Sequence, residues 1–435
     1  MKIRCKWAIG AALLLNGVAW SAQQAPDNRA DAAVVVEWNQ RLLTAAEAED
    51  GFLTLKGVRA AAMMHLAMHD ALNAVHREYA AYAFEGSAPD VDPVAAASQA
   101  AYEIAANQYP RQTAQWTELR DRTGAPREDA AQLGKAAAAA VLARRKDDKW
   151  DQQAEYRFHS MGPGVYAEFR EHSGTPEGFV FGAGWATAKP FMLSRPDQFR
   201  VGPPPAIDSA EYARAFAEVK EVGSFDSRTR TADQAHLAMW WKEFVESSHN
   251  RLARELVVSD RLELRRAARL FALLNMAIFD GYVSVFDSKF FYNHWRPYTA
   301  IRWADQDGNP ATEVDGQWDN LHRHTYAFPS YPSAHGTVCS AAMSVMADTF
   351  GERRKFTMET REVDKAGPMS GKIKMDPPTR SFGSFPAAAL ECSLSRVYLG
   401  IHFRYDSLGG NALGNAVGRY AVEKFLAPAG RASAR

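Results

Sequence analysis

Cysteine is scarce in this chain, with 3 in 435 residues. That excludes a disulfide scaffold, which needs dense bridging. Net charge is absent too: 51 Lys and Arg stand against 51 Asp and Glu. A bulk electrostatic partner such as nucleic acid is therefore excluded. A sum of zero still leaves room for a local cluster of one sign. Strand-like alternation is scarce, and no period of about 20–50 residues repeats. Beyond the N-terminus, no stretch reads as long and apolar enough to span a bilayer, which takes about 20 apolar residues.

What is present is ordinary globular composition. Hydrophobic residues make up 47% and charged residues 23%, which excludes disorder and collagen-like repeats. The length suits two or three domains, or one large one.

The first 22 residues combine a basic start (Lys2, Arg4, Lys6), a short apolar run (Trp7 to Leu15) and small residues at Ala19, Ser21 and Ala22. This is the pattern of a secretory signal peptide, because the apolar run falls short of a span. A single N-terminal anchor is the alternative. Cleavage near Ala22 removes three cations and no anions, leaving a net charge of −3. The expectation is a periplasmic or secreted protein with no membrane span after signal removal.

Helical patterns dominate the rest. Val58–Tyr82 carries apolar residues at helical spacing, and Ala130–Arg145 is alanine-rich. Residues 147–207 change character, with many glycines and prolines ending in Pro203-Pro204-Pro205. They read as a long connection. Thr231-Ala232-Asp233-Gln234 resembles a helix start. Arg261–Phe286 is the strongest helix, with Leu264, Ala267, Leu270, Phe271, Leu274 and Ile278 on one stripe. Residues 303–332 and 364–386 read as loops, and Pro386–Tyr405 and Gly410–Leu426 as closing helices. The fold class is all-α. Residues 23–146 form an N-terminal helical region, 147–207 the connection, and 208–428 a second helical bundle.

Three motifs carry chemistry. The first runs from Lys289 to Arg296-Pro297 through Phe290, Phe291, Tyr292 and Trp295. Helical residues seven apart share a face, so a helix here would align Lys289 with Arg296; Pro297 disfavours helix at Arg296. The pair is either a solvated charged face or two cations around a buried anion. The second is Pro332-Ser333-Ala334-His335 leading into a helix at Thr337–Phe350. A hydroxyl and free N–H groups at a helix start make an anion cradle; an ordinary N-cap is the alternative. The third runs Ser395-Arg396, Gly400, His402, Asp406. A carboxylate four residues from an imidazole can hold one ring nitrogen and leave the other electron-rich; a helix-face ion pair is the alternative. Gly400 allows close approach of a backbone or a ligand.

In this order, the motifs resemble those of the superfamily shared by vanadium-dependent haloperoxidases and the type 2 phosphatidic acid phosphatase and bacterial acid phosphatase group. Over roughly residues 55–425 the chain looks like the secreted bacterial haloperoxidase-like branch. Lys189 to Phe199, Gly202 to Pro205, Met68 to Ala74 and Thr231 to Trp241 carry that second likeness. The family's second motif usually has glycine where this chain has Ala334, which places a methyl in a tight cradle. Phe328 and the spacing from Arg396 to His402 look like the chloroperoxidase form.

The resemblance implies a vanadium chloroperoxidase-like fold of two helical bundles and a bound vanadate. Lys289, Arg296 and Arg396 would neutralise its oxygens. Ser333 and the Ala334 N–H would donate to them. His402 would be the vanadium ligand, Asp406 would hold the His402 tautomer, and His335 would be the acid or base. Lys289 would also polarise bound peroxide. The implied activity is oxidation of halide by hydrogen peroxide to hypohalous acid. The alternative is an exported acid phosphatase working through a phosphohistidine at His402. A third reading is an inactive oxyanion-binding protein. The implied partners are small molecules: peroxide, halide or a phosphate ester.

Other residues have plainer readings. His65 and His69 have a zinc-compatible spacing but no third ligand, and read as packing residues. His294 lines the pocket or packs. Trp185, Trp240 and Trp241 read as core. Asp280 and Asp287 share a helix face and are candidates to pair with Arg396. Cys339 and Cys392 lie one turn from His335 and Arg396, and a disulfide between them would staple the two motif helices.

Overall fold

A computed structural model describes residues 32–51, 54–125, 127–361, 363–364 and 369–430. The expected signal segment lies outside these. Five helices come first: α1 (Ala32–Asp50), α2 (Leu55–Val75), α3 (Pro93–Gln108), α4 (Thr113–Gly124) and α5 (Glu128–Arg144). A single turn, α6 (Arg170–Ser173), interrupts the long connection. The second bundle comprises α7 (Ala210–Val222), α8 (Ala232–Trp240), α9 (Val245–Ser259), α10 (Leu264–Tyr292), α11 (Pro297–Arg302), α12 (Ala334–Phe350), α13 (Phe385–Tyr398) and α14 (Arg404–Lys424). Two short antiparallel strands, β1 (Phe356–Glu359) and β2 (Thr379–Phe382), pair Phe356 with Phe382. The fold is all-α, built of helical bundles.

α10 is the central element. Its apolar stripe continues round the helix, and it packs against α2 on one side and α12 and α14 on the other. One continuous buried apolar cluster therefore joins the N-terminal helices to the second bundle. By length and apolar content α10 could cross a membrane, contrary to the sequence expectation, but 89% of its apolar window is buried inside the protein. It is the core helix of the bundles.

Local chemistry sets several helix ends. Thr231 Oγ1 accepts from the Gln234 N–H at 3.1 Å, and Gln234 Oε1 accepts from the Thr231 N–H at 2.9 Å. This reciprocal cap starts α8. Ser333 caps α12 by accepting from the Gly336 N–H at 3.3 Å. α10 ends at Asn293, whose φ of 50° and ψ of 39° are left-handed, a turn that asparagine tolerates.

Gly400 also takes a left-handed conformation, with φ of 83°. A Cβ there would lie 2.4 Å from the Gly223 carbonyl oxygen. The close approach is thus of backbone rather than ligand. This turn divides the expected helix Pro386–Tyr405 into α13 and α14, with His402 in the link. Along α14, Gly410 and Gly414 let the helix lie directly on α12: a Cβ would meet the Ser333 and Thr337 carbonyls at 2.4 and 2.0 Å.

The connection is irregular but anchored. Asp280 on α10 accepts from the N–H groups of Phe191, Met192 and Leu193 at 2.6, 2.8 and 3.0 Å. Arg145 donates to the carbonyls of Lys189 and Pro190. Asp287 pairs with Arg200 at 2.5 Å. Neither acid pairs with Arg396, and the reason is that α10 turns both towards the connection's backbone and side chains.

Cys339 and Cys392 are free thiols, both buried. The expected staple is absent. The thiols are neighbours, yet Cys339 Sγ also lies 3.2 Å from His249 Nε2, and Cys392 Sγ turns to the His335 carbonyl at 3.9 Å.

Candidate active site

The first motif is not one helix. Lys289 lies in the last turn of α10, whereas Arg296 is extended, with φ of −88° and ψ of 155°. Pro297 forces that conformation on its predecessor. The two cations converge through the turn at Asn293 rather than along a helix face. Lys289 Nζ donates to the carbonyls of Pro329 and Ser330 at 2.9 and 2.8 Å. Arg296 donates from Nε to the Phe328 carbonyl at 2.8 Å and from Nη1 to the Ile401 carbonyl at 2.9 Å. Both cations sit over the Phe328 ring, 5.1 and 4.6 Å from its centre.

The third motif closes on the same place. Arg396, in the last turn of α13, donates to the carbonyls of Trp241 and Ala238 at 3.2 and 3.3 Å. His402 Nε2 lies 3.1 Å from Arg296 Nη1, and its Nδ1 lies 3.0 Å from Asp406 Oδ2. Asp406 is in the first turn of α14, where a carboxylate suits the helix dipole. It also accepts from the Phe403 N–H at 3.0 Å and from Ser330 Oγ. The two residues share no helix face.

The second motif supplies Ser333, buried at the α12 N-cap, and Ala334 at the first helical position. Ser333 Oγ serves as an acceptor in the cap, so its own proton remains available. His335 Nε2 is 3.1 Å from the Trp241 carbonyl. A carbonyl only accepts, so Nε2 carries the proton and Nδ1 the lone pair.

Electrostatics are set by burial. Lys289, Arg296 and Arg396 are all 0% exposed. Burial, joined by repulsion from Arg296, pushes the Lys289 ammonium well below its ordinary value. Burial lowers Arg296 to about 10, and lowers Arg396 as well. Burial and the three cations hold His402 well below the usual imidazole range. Burial and Arg396 do the same to His335. Both rings are therefore neutral. Burial raises the Asp406 carboxyl to about 7, opposed by Ser330, Lys289 and the Phe403 N–H.

Two guanidinium atoms decide what the site accepts. Arg296 Nη2 and Arg396 Nε are buried and have no hydrogen-bond partner among the described residues. Unpaired buried donors on cations are costly, and an oxyanion supplies what both lack. No three His, Cys, Asp or Glu side chains among the described residues group as for a metal cation. Three cations, a hydroxyl, helix-start N–H groups and one imidazole lone pair fit a tetrahedral oxyanion instead.

Known proteins share this arrangement of chain. Residues 269–429 match the VCPO second helical-bundle domain, the second bundle of vanadium chloroperoxidase. The family match covers the second bundle. Vanadium chloroperoxidase of Curvularia inaequalis is 22% identical over 276 residues, or 51% of this chain and 44% of that protein. The chain thus matches less than half of that relative's length. A bacterial vanadium-dependent iodoperoxidase structure superposes with a TM-score of 0.69 at 21% identity, covering 92% of this chain and 97% of the other. A holo-type bacterial vanadium-dependent chloroperoxidase gives 0.64 at 17% identity, covering 84% and 90%. At these identities the two structures establish the fold.

Sequence reading missed part of this site. Ser330 is hydrogen-bonded to Asp406, and its Oγ is 3.3 Å from His402 Nδ1. The repeated Pro-Ser of Pro329-Ser330 and Pro332-Ser333 was the available signal. Lys242, fully buried, pairs with Asp364 at 2.9 Å, His322 Nδ1 at 3.1 Å and Tyr326 Oη at 2.9 Å. Nothing local marked it. Trp185, read as core, is half-buried and lines the cavity with Arg396, His335 and His402. Trp240 and Trp241 are buried. His294 is buried and meets Tyr405 Oη at 2.8 Å. His65 contacts Asn39 and stacks on Phe271, and His69 contacts the Ala80 carbonyl.

Proposed function

We propose that this protein binds vanadate and uses hydrogen peroxide to oxidise halide to hypohalous acid. The observation that carries the proposal is the pair of unpartnered buried donors, Arg296 Nη2 and Arg396 Nε, beside the His402 lone pair. Lys289, Arg296 and Arg396 would hold the oxyanion's charge, and its negative charge would favour the protonated form of the desolvated Lys289. Ser333 Oγ and the Ala334 N–H would donate to it, and His402 Nε2 would ligate it once Arg296 Nη1, which donates to that nitrogen, turns to the oxyanion. When bound, vanadate supplies Lewis-acid activation of peroxide.

The protein's own groups do the rest. Asp406 and Ser330 orient His402 so that Nε2, not Nδ1, presents its lone pair. His335 takes or returns a proton at Nδ1, since Nε2–H is held by the Trp241 carbonyl. Lys289 has a third N–H beyond its two carbonyl contacts, which would polarise peroxide. The reactants are small molecules. Export to the periplasm or medium, as the N-terminal pattern implies, completes the proposal.

The test is one purified protein assayed two ways. Monochlorodimedone halogenation with peroxide, halide and vanadate is expected. Hydrolysis of para-nitrophenyl phosphate that vanadate only inhibits, without halogenation, would assign the site to phosphate-ester hydrolysis instead. His402→Ala is expected to abolish activity.

A further inference from the structure

The cavity beside the oxyanion groups exceeds what halide oxidation requires. A water-sized reactant takes roughly 30 Å³, and peroxide with one halide takes a small multiple of that. The cavity measures about 520 Å³, within the roughly 300–1,000 Å³ of sites that enclose organic ligands. Arg396, His335 and His402 form part of its wall, so it is continuous with the oxyanion site.

Much of the remaining wall is a run of aromatic rings. Tyr282 meets Trp185 at 5.3 Å between centres, Trp185 meets Phe181 at 5.0 Å, and Phe181 meets Phe286 at 5.9 Å. Phe286 meets Phe328 at 5.4 Å, and Phe328 meets Tyr326 at 5.9 Å. All but Phe286 keep part of their surface open. Apolar ring surface left facing water is unfavourable, and a flat guest would cover it. The two ends of the run differ. At one, Tyr282 Oη donates to Glu246 Oε2 at 2.6 Å, and Glu246 lines the cavity. Near the other, Phe328, the ring before Tyr326, lies under the Lys289 and Arg296 cations. The connection that carries Trp185 is tied to the bundles just beyond it, where Arg145 and Asp280 hold residues 189–193.

We infer that this cavity binds the organic acceptor of halogenation, a phenolic aromatic of two or more rings, with Glu246 accepting its hydroxyl proton in a hydrogen bond. This rests on the proposed function, which supplies the hypohalous acid. The ring's π electrons form the carbon–halogen bond. The oxygen–halogen bond breaks with its electrons on oxygen. The proton lost from the ring carbon and the departing hydroxide leave as water. Carbon–halogen bond formation then takes place inside the protein rather than in bulk solvent, and the ring position is selected by the wall.

3-Phenylphenol tests this, because its ring offers several distinct positions for substitution. Its binding to the vanadate-free chain is measured by calorimetry, and its bromination products are compared with those of reagent hypobromite. Saturable binding, weakened about tenfold by Trp185→Ala and by Glu246→Gln but retained in Trp185→Phe, with an isomer ratio unlike the reagent's, is the expected result. No saturable binding, or the reagent's isomer ratio from an enzyme that halogenates monochlorodimedone, overturns the inference and leaves the function standing. Binding without vanadate-dependent halogenation of either compound overturns the function and the acceptor role together, with the measured affinity separating this failure from the first.

Discussion

Arg296 Nη1 lies 3.1 Å from His402 Nε2. A guanidinium only donates, so Nε2 is an acceptor and the ring proton resides on Nδ1, towards Asp406. One cation and one carboxylate thus select the tautomer from opposite sides.

Asp406→Asn removes the charge that favours this tautomer. Loss of such a partner behind a ligating histidine typically costs about 10–100-fold in affinity. Equilibrium dialysis of vanadate is expected to show a fall of that size, with activity falling alongside. Wild-type affinity in the variant would remove Asp406 from the orienting role.

Arg396→Lys tests the unpartnered guanidinium donor. Lysine keeps the charge but not the planar fork. A lost hydrogen bond to a charged group is worth about 1.5–3 kcal/mol, so vanadate affinity is expected to drop roughly tenfold to a hundredfold. Unchanged dialysis would show that charge alone suffices.

Glu246 predicts a pH dependence of stability. Burial raises its carboxyl to about 7 from an ordinary 4.5. The folded state therefore binds this proton more tightly than the unfolded chain. Its stabilising effect is complete below about pH 4.5 and lost as pH rises through about 7, a change of about 3 kcal/mol. Glu246→Gln keeps an acceptor for Tyr282 and has no such titration. Thermal unfolding at about pH 5 and about pH 8 is expected to show a flatter response in the variant. Equal responses would show that this carboxyl is not the source.

Lys242 and Asp364 form a buried ion pair at 2.9 Å. Lys242→Met leaves Asp364 without its cation and is expected to destabilise by about 3–5 kcal/mol. Lys242→Met combined with Asp364→Leu is expected to recover most of this in urea unfolding. Equal loss in single and double variants would contradict the pairing.

The free thiols of Cys339 and Cys392 predict that reductant leaves the melting temperature unchanged. Both should react with a thiol reagent once the chain is unfolded without reductant. A reductant-sensitive melting temperature would restore the staple.

Helix class was legible in the sequence, and the resemblance implied every residue proposed to hold the oxyanion. The helices were legible because each depends on near neighbours: the stripe of α10, the reciprocal cap of Thr231 and Gln234, and Pro-Ser before α12. Misreadings came where a single turn redirects the chain. Gly400 broke the helix drawn through His402, and the end of the first-motif helix, which Pro297 had left open, falls at Asn293. Asp280 was misassigned because its partners are backbone N–H groups of the connection, which carry no residue signature. Ser330, Lys242 and Glu246 went unassigned because their partners lie far away in the chain.

By itself the sequence determined the helical class, since propensity and capping are local, and Lys289, Arg296, Ser333, His335, Arg396, His402 and Asp406 came from the resemblance its three motifs carry. Only the tertiary structure decided that three cations from separate segments meet, that two of their N–H groups lack partners among the described residues, and that an aromatic cavity opens beside them. Convergence and burial depend on how α10, α12, α13 and the connection pack. Burial is also what turns a neutral sum of charges into a site for an anion, because a cation stripped of water needs a partner that the rest of this balanced chain does not provide there.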